Sequence, residues 1–347
     1  MSARELLERH NPVLIILPED TSRNRPGAVT RGRGRGDYHP CSAELLLSLV
    51  IWRARPKPWL LVPLLRLLPR FKEAPIDLAE LKLKAEAADP ASTAAWELDI
   101  EPIRSQNSRQ AWSAYRKIRA RPELAPYLQP VVYGRLAPGR DGPVLQYWYL
   151  YIYNDAPNKH EGDWEMVSIQ LNEEEKPVRA GYAGHASGYK REWRDVERDG
   201  EEERPIVYVA RGSHAAYFAY RKRGYRTNSL PTPRNLPPLI QELVSKAYDL
   251  VRRYWPFWDH PPARPDDGST EEPARGERLD LPNANIIVLP EVAEGAPPPA
   301  DRWWMRLNGK WGSRHARGFG VIAPDPPWMH DKWRRPSEWI EGCLPDS

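Results

Sequence analysis

The sequence predicts a mainly β protein, a β-sandwich with helical insertions and long proline-rich loops. Three observations carry that expectation. The chain holds 38 prolines in 347 residues, well above the roughly 5% of an average protein, and proline opposes long helices. Fifteen Trp and sixteen Tyr stand beside only four Phe, and aromatic side chains favour the pleated, half-buried surface of a sheet. The run from Gln146 to Tyr153 alternates strictly, with Tyr147, Tyr149, Tyr151 and Tyr153 on one face and Trp148, Leu150 and Ile152 on the other.

The other elements follow in chain order. Residues 10–17 read as a strand, and the arginine-glycine run at 31–36 as a solvated loop. Ser42 is placed to cap a helix, its hydroxyl meeting a free backbone N–H. The apolar runs 45–52 and 59–68, split by Arg53-Ala54-Arg55-Pro56-Lys57-Pro58, read as a buried helix and a second packed element. Residues 71–128 have helical composition at Pro75–Ala88 and Ser108–Ala120, the pattern of an insertion in a β core. Strands are expected at 166–171, 178–185, 205–210 and 285–289, with a charged surface loop at 190–204. The spacing of Leu236, Leu239, Ile240, Leu243 and Val244 predicts a helix over 235–255. Residues 259–300 have the composition of a long flexible loop. A single domain spanning 1–347 is expected, with no internal repeat.

Bulk properties narrow the function. With 51 basic and 47 acidic residues, no nucleic-acid partner is expected. Two cysteines, Cys41 and Cys343, make no disulfide framework, which points to a reducing, cytoplasmic setting. No apolar run reaches membrane-spanning length, although the basic-flanked segment near residue 55 is compatible with peripheral membrane contact.

The chemistry concentrates in His160-Glu161-Gly162-Asp163-Trp164-Glu165, directly before the strand pattern Met166–Leu171. Asp163 and Glu165 share a strand face, and His160 in the entering loop can fold over the same spot. Two further histidines, His185 and His214, end later strand-like segments, and Asp155 precedes the motif. Carboxylates with histidine and no thiolate suit a divalent cation, Mg²⁺, Ca²⁺ or Mn²⁺ before Zn²⁺. The same groups suit acid–base work. Ser213 beside His214 is not a nucleophile–base pair, since neighbours on a strand face opposite ways.

The motif, with Tyr182-Ala183-Gly184-His185 and the run Val207–Phe218, resembles the vacuolar protein sorting-associated protein 62 family. Gly309-Lys310-Trp311-Gly312 is similar to that family's tryptophan-glycine segment. A looser similarity links the motif to the necrosis- and ethylene-inducing protein family, which implies a β-sandwich holding a divalent cation. Its metal ligands fall on His160, Asp163 and Glu165, with Asp155 as the nearest match to its further aspartate. This chain has Glu161-Gly162 where that family has Arg-His. Three readings follow: a cation-dependent module binding a small molecule, glycan or lipid head group through its aromatic residues; a metal-dependent hydrolase with His185 or His214 as the catalytic acid or base; or an interaction protein with a structural site.

Overall fold

A computed structural model of the chain describes residues 1–16, 38–54, 76–100, 103, 108–155, 159–184, 188–200, 204–210, 212–219, 277–291, 297–312 and 324–346. The arginine-glycine run, the apolar run 59–68, His185, the expected helix over 235–255 and most of 259–300 lie outside the described residues.

The fold is mainly β. Its strands are β1 (Val13–Ile16), β2 (Val50–Ala54), β3 (Trp96–Ile100), β4 (Val132–Ala137), β5 (Val144–Asn154), β6 (His160–Leu171) and β7 (Pro177–Ala183). They continue with β8 (Gly188–Glu192), β9 (Arg198–Asp199), β10 (Arg204–Val209), β11 (Ala216–Tyr217), β12 (Glu277–Asp280), β13 (Ile286–Val288) and β14 (Leu344–Pro345). One sheet has the order β13-β4-β5-β6-β7-β8-β14; a second runs β11-β10-β1-β12 with β9 on β10; β2 and β3 form a separate ribbon. Strands β4 to β8 make an antiparallel meander. Its two outer strands, β13 and β14, are added in parallel.

The central pair β5–β6 is buried along its whole length. A sheet covered on both faces needs apolar or aromatic residues at every position, and the Tyr/Trp alternation of β5 supplies them. The tyrosine face turns toward the second sheet. Tyr182 stacks on Phe218 at 3.8 Å and its hydroxyl donates to the Ile206 carbonyl at 3.2 Å. The Tyr147 hydroxyl donates to the Leu7 carbonyl at 3.0 Å. The tryptophan face is covered by the C-terminal segment. Trp148 meets Trp333 at 5.9 Å, Trp164 meets Trp311 at 5.5 Å, and a Cβ at Gly181 would touch the Trp339 ring at 2.9 Å. Two sheets and a tryptophan-rich cap thus form stacked layers.

Several expectations are corrected in detail. The strand expected from residue 10 begins at Val13, behind a helix at Ala3–Arg9. Ser2 and Glu5 form a capping box there, which satisfies two free N–H groups at once. Ser42 caps a helix as expected, but that helix is only Ala43–Leu47, and the apolar run continues as β2. Its partner β3 lies inside 71–128, among helices at Leu78–Ala87 and Ser108–Arg119. Residues 190–204 are not a plain loop: they hold the end of β8, a short 3-10 turn at Trp193–Asp195, and β9. Among the described residues no helix is long and apolar enough to cross a membrane.

Candidate functional site

The motif does not precede its strand. β6 starts at His160, so all six motif residues lie within the ladder and are buried. Tyr151 pairs with Asp163 and Tyr149 with Glu165. Directly paired residues share a face, so both carboxylates enter the tyrosine-lined space between the sheets.

His214 meets them there. It lies in the turn after β10, with its backbone N–H donating to Ala210 O at 2.9 Å. Its φ is 58°, a left-handed conformation that costs a non-glycine residue energy and clusters at functional sites. That turn aims the imidazole at β6. Nδ1 stands 2.8 Å from Asp163 Oδ2, and the ring lies flat on Tyr151, with centroids 3.9 Å apart and planes 4° apart. Tyr38 meets the imidazole edge-on at 6.3 Å. Nε2 is buried and has no hydrogen-bond partner among the described residues. His214 is 3% exposed and Asp163 7%, so this is an interior ion-pair geometry.

The electrostatics around the pair oppose charge. Burial pushes the Glu165 carboxyl well above the usual carboxylate range; neighbouring Asp163 adds to the rise and Lys332 works against it. Burial likewise holds the Tyr151 hydroxyl far above its ordinary value, with Tyr149, Glu165 and Asp163 adding to it. Both effects disfavour the charged form in a poorly solvated space.

The remaining sequence-predicted residues are engaged elsewhere. His160 has Nδ1 2.7 Å from the Gly162 carbonyl and Nε2 2.7 Å from the Asn154 amide nitrogen. The cause is local: Gly162 has a φ of 62°, which turns its carbonyl back onto the ring. Asp155 is fully buried. Its carboxylate pairs with Lys159, while its backbone N–H donates to Gly212 O at 2.7 Å, two residues from His214. The structure therefore joins Asp163 and His214 and places Glu165 on the same face. It does not gather His160, Asp163, Glu165 and Asp155 into one ligand set. Among the described residues no group of three or more His, Cys, Asp or Glu is arranged to hold a metal ion. With both His160 nitrogens engaged and Asp163 bound to His214, the four side chains do not fit a resident cation in this arrangement.

Three residues of the site carried no role in the sequence reading. Glu161 accepts a hydrogen bond from the Ile100 N–H at 2.6 Å, tying the motif to β3. Tyr151 was visible only as one member of a stripe. Lys332 acts on Glu165 from a segment 167 residues away (332 − 165), and no local pattern signals it. The stripe itself is interior: Tyr147, Tyr149, Tyr151 and Tyr153 are at most 2% exposed, so these rings pack the sandwich and offer no platform to a sugar.

No family model matches the chain, and no curated protein matches it. Solved structures give partial overlaps. "Toxin fold for microbial attack and plant defense" matches at 17% identity and a TM-score of 0.23, covering 25% of this chain and 44% of that one. Necrosis and Ethylene inducing Protein 2, from the causal agent of cocoa's Witches Broom disease, matches at 17% identity and a TM-score of 0.23, covering 26% and 45%. "NLPPya in complex with glucosamine" matches at 19% identity and a TM-score of 0.23, covering 26% and 44%. The matched part spans less than half the length of those structures. Overlaps of this size carry no inference about the present site.

Proposed function

We propose that this chain is a hydrolase whose proton-transfer site is His214, oriented by Asp163. The observation that carries the reading is the Nδ1–Oδ2 distance of 2.8 Å, together with an Nε2 that has no partner among the described residues. A carboxylate on Nδ1–H fixes the tautomer, leaves the Nε2 lone pair as the base, and stabilises the imidazolium that forms. Tyr151 holds the ring plane by stacking. In the proposed step His214 Nε2 removes a proton from water, whose oxygen attacks the substrate. The neutral Glu165 carboxyl supplies a proton to the leaving group. The protein groups thus exchange one proton each and are reset by solvent.

Two measurements test this. Imidazole ¹⁵N NMR should find His214 as the Nδ1–H tautomer. A panel of phosphoester, glycoside and carboxylic ester substrates should give a turnover that Asp163→Asn and His214→Gln each abolish while the far-ultraviolet circular dichroism stays native. Unchanged turnover in His214→Gln would sink the reading.

A second reading, a divalent-cation-dependent module for a glycan or lipid head group, draws support from one feature: Asp163 and Glu165 on one strand face beside the turn that Asp155 holds. It requires Asp163 to release His214. Added Mg²⁺, Ca²⁺ or Mn²⁺ that raised the thermal midpoint in the native chain, and not in Asp163→Asn, would favour it over the first.

A further inference from the structure

On the opposite face of the central sheet lies a guanidinium with no carboxylate within ion-pair distance among the described residues. Arg135 pairs with Gln146 across β4 and β5 and is only 6% exposed. Its Nη1 donates to Gln146 Oε1 at 3.1 Å and to the Trp333 carbonyl at 2.7 Å. Its plane sits over the Trp333 ring, 4.1 Å from the centroid. Nε is buried and makes no hydrogen bond among the described residues; both bonds of the group leave from Nη1, on the side away from Nε and Nη2. These two nitrogens form one edge of the guanidinium, with N–H groups directed the same way. That edge takes a carboxylate or a phosphoryl group through two parallel hydrogen bonds.

A second cation stands on the same segment. The Lys332 carbonyl accepts from Gln146 Nε2 at 2.7 Å, so one glutamine links Arg135 to the backbone that carries Lys332. Lys332 Nζ lies 5.1 Å from the centre of the Trp148 ring, next to Trp333. Neither cation has a carboxylate within ion-pair distance among the described residues. Glu291 acts on Arg135, and Glu165 and Asp163 act on Lys332, only from longer range. Burial lowers both cations below their ordinary values, Arg135 to about 10. Buried charge left without a counter-charge is costly.

We propose that the Nε–Nη2 edge of Arg135, with Lys332 as the second cation, is a binding site for a small oxyanion, a phosphoryl or carboxylate group. The Arg135 edge lies on the face of the sheet opposite the His214 pair, and Lys332 is the one group that also acts on Glu165. Its indole walls make it self-reporting. The full-length chain is titrated with sodium phosphate, and separately with sodium acetate, against sodium chloride at matched ionic strength. Tryptophan fluorescence and the thermal midpoint are followed. A saturable change with phosphate alone assigns a phosphoryl group, and with acetate alone a carboxylate. Arg135→Lys keeps the charge and removes the fork, so binding should weaken about tenfold. Lys332→Gln removes the second charge, leaves the fork in place, and should weaken binding several-fold. The proposal is overturned if neither anion exceeds chloride, or if Lys332→Gln binds as tightly as the native chain.

Discussion

A Cβ built on Gly162 would lie 1.8 Å from the carbonyl oxygen of Trp311. The relation is mutual: a Cβ on Gly312 would lie 1.9 Å from the carbonyl oxygen of Glu161. Both glycines also have positive φ, 62° and 144°. The tryptophan-glycine segment is thus pressed backbone to backbone onto the start of β6. Gly162→Ala combines a left-handed backbone with a backbone clash, and should cost roughly 3 kcal/mol. Gly312→Ala should cost a similar amount, and Gly200→Ala, whose Cβ would meet nothing within 4 Å, distinctly less. Urea unfolding of the three variants checks the order.

Removing one partner of the buried His214–Asp163 pair leaves the other without its hydrogen bond. His214→Gln should therefore destabilise the fold by about 3 kcal/mol, and Asp163→Asn by a comparable amount. The double variant should cost less than the sum, with a coupling on the order of 1–3 kcal/mol. A double-mutant cycle in urea measures this. Additive losses would mean that the two groups do not interact.

Tyr151 should tolerate loss of its hydroxyl but not of its ring. Tyr151→Phe keeps the stack on His214 and should leave the imidazole proton shifts nearly unchanged. Tyr151→Leu removes the ring and should move them markedly, through the loss of the aromatic face. Proton–carbon correlation spectra of the His214 ring distinguish the two.

His330 gives the C-terminal cap a pH dependence. Burial, then Lys332, holds its imidazole below the ordinary value of 6.5, against weaker opposing effects from the Asp325 carbonyl and carboxylate, with Lys310 again lowering it. The folded state therefore binds fewer protons than the unfolded state between the depressed value and 6.5, and stability rises with pH there. The contribution is complete above pH 6.5 and is lost as pH falls through that window. Amide exchange in residues 327–341 should quicken from pH 7 to pH 5 beyond its intrinsic trend, and His330→Asn should remove the excess.

Much of the central sheet was legible because its signals are local. The Tyr/Trp alternation gave β5, and the apolar runs 166–171 and 178–185 marked β6 and β7. Ser42 gave a cap, and the same logic at Ser2 and Glu5 announced the N-terminal helix that the strand reading overlooked. The strand Trp96–Ile100 alternates apolar and polar residues, but it is short and sits inside a stretch of helical composition; its long-range pairing to β2 stabilises it. In the site, the shared face of Asp163 and Glu165 followed from a period of two. The fate of His160 did not, since it depends on the left-handed backbone at Gly162, which turns a carbonyl onto the ring. The tyrosine stripe misled for a related reason. Alternation tells which residues share a face, but not whether another layer covers that face.

The clasp between Gly162 and Gly312 also sets an order of events during synthesis. The residues 160–165 leave the ribosome long before Trp311, so the ladder around Asp163 forms first with its mouth uncovered. Closing that gap spans about 150 residues of chain, a slow, non-local step. Until it is complete, Glu161 and the adjoining backbone are open to solvent, and the histidine turn after β10 packs against a half-built wall. A nascent chain stalled in the region of residue 300 would therefore hold both Asp163 and His214 yet lack the cover that fixes the first of them in place.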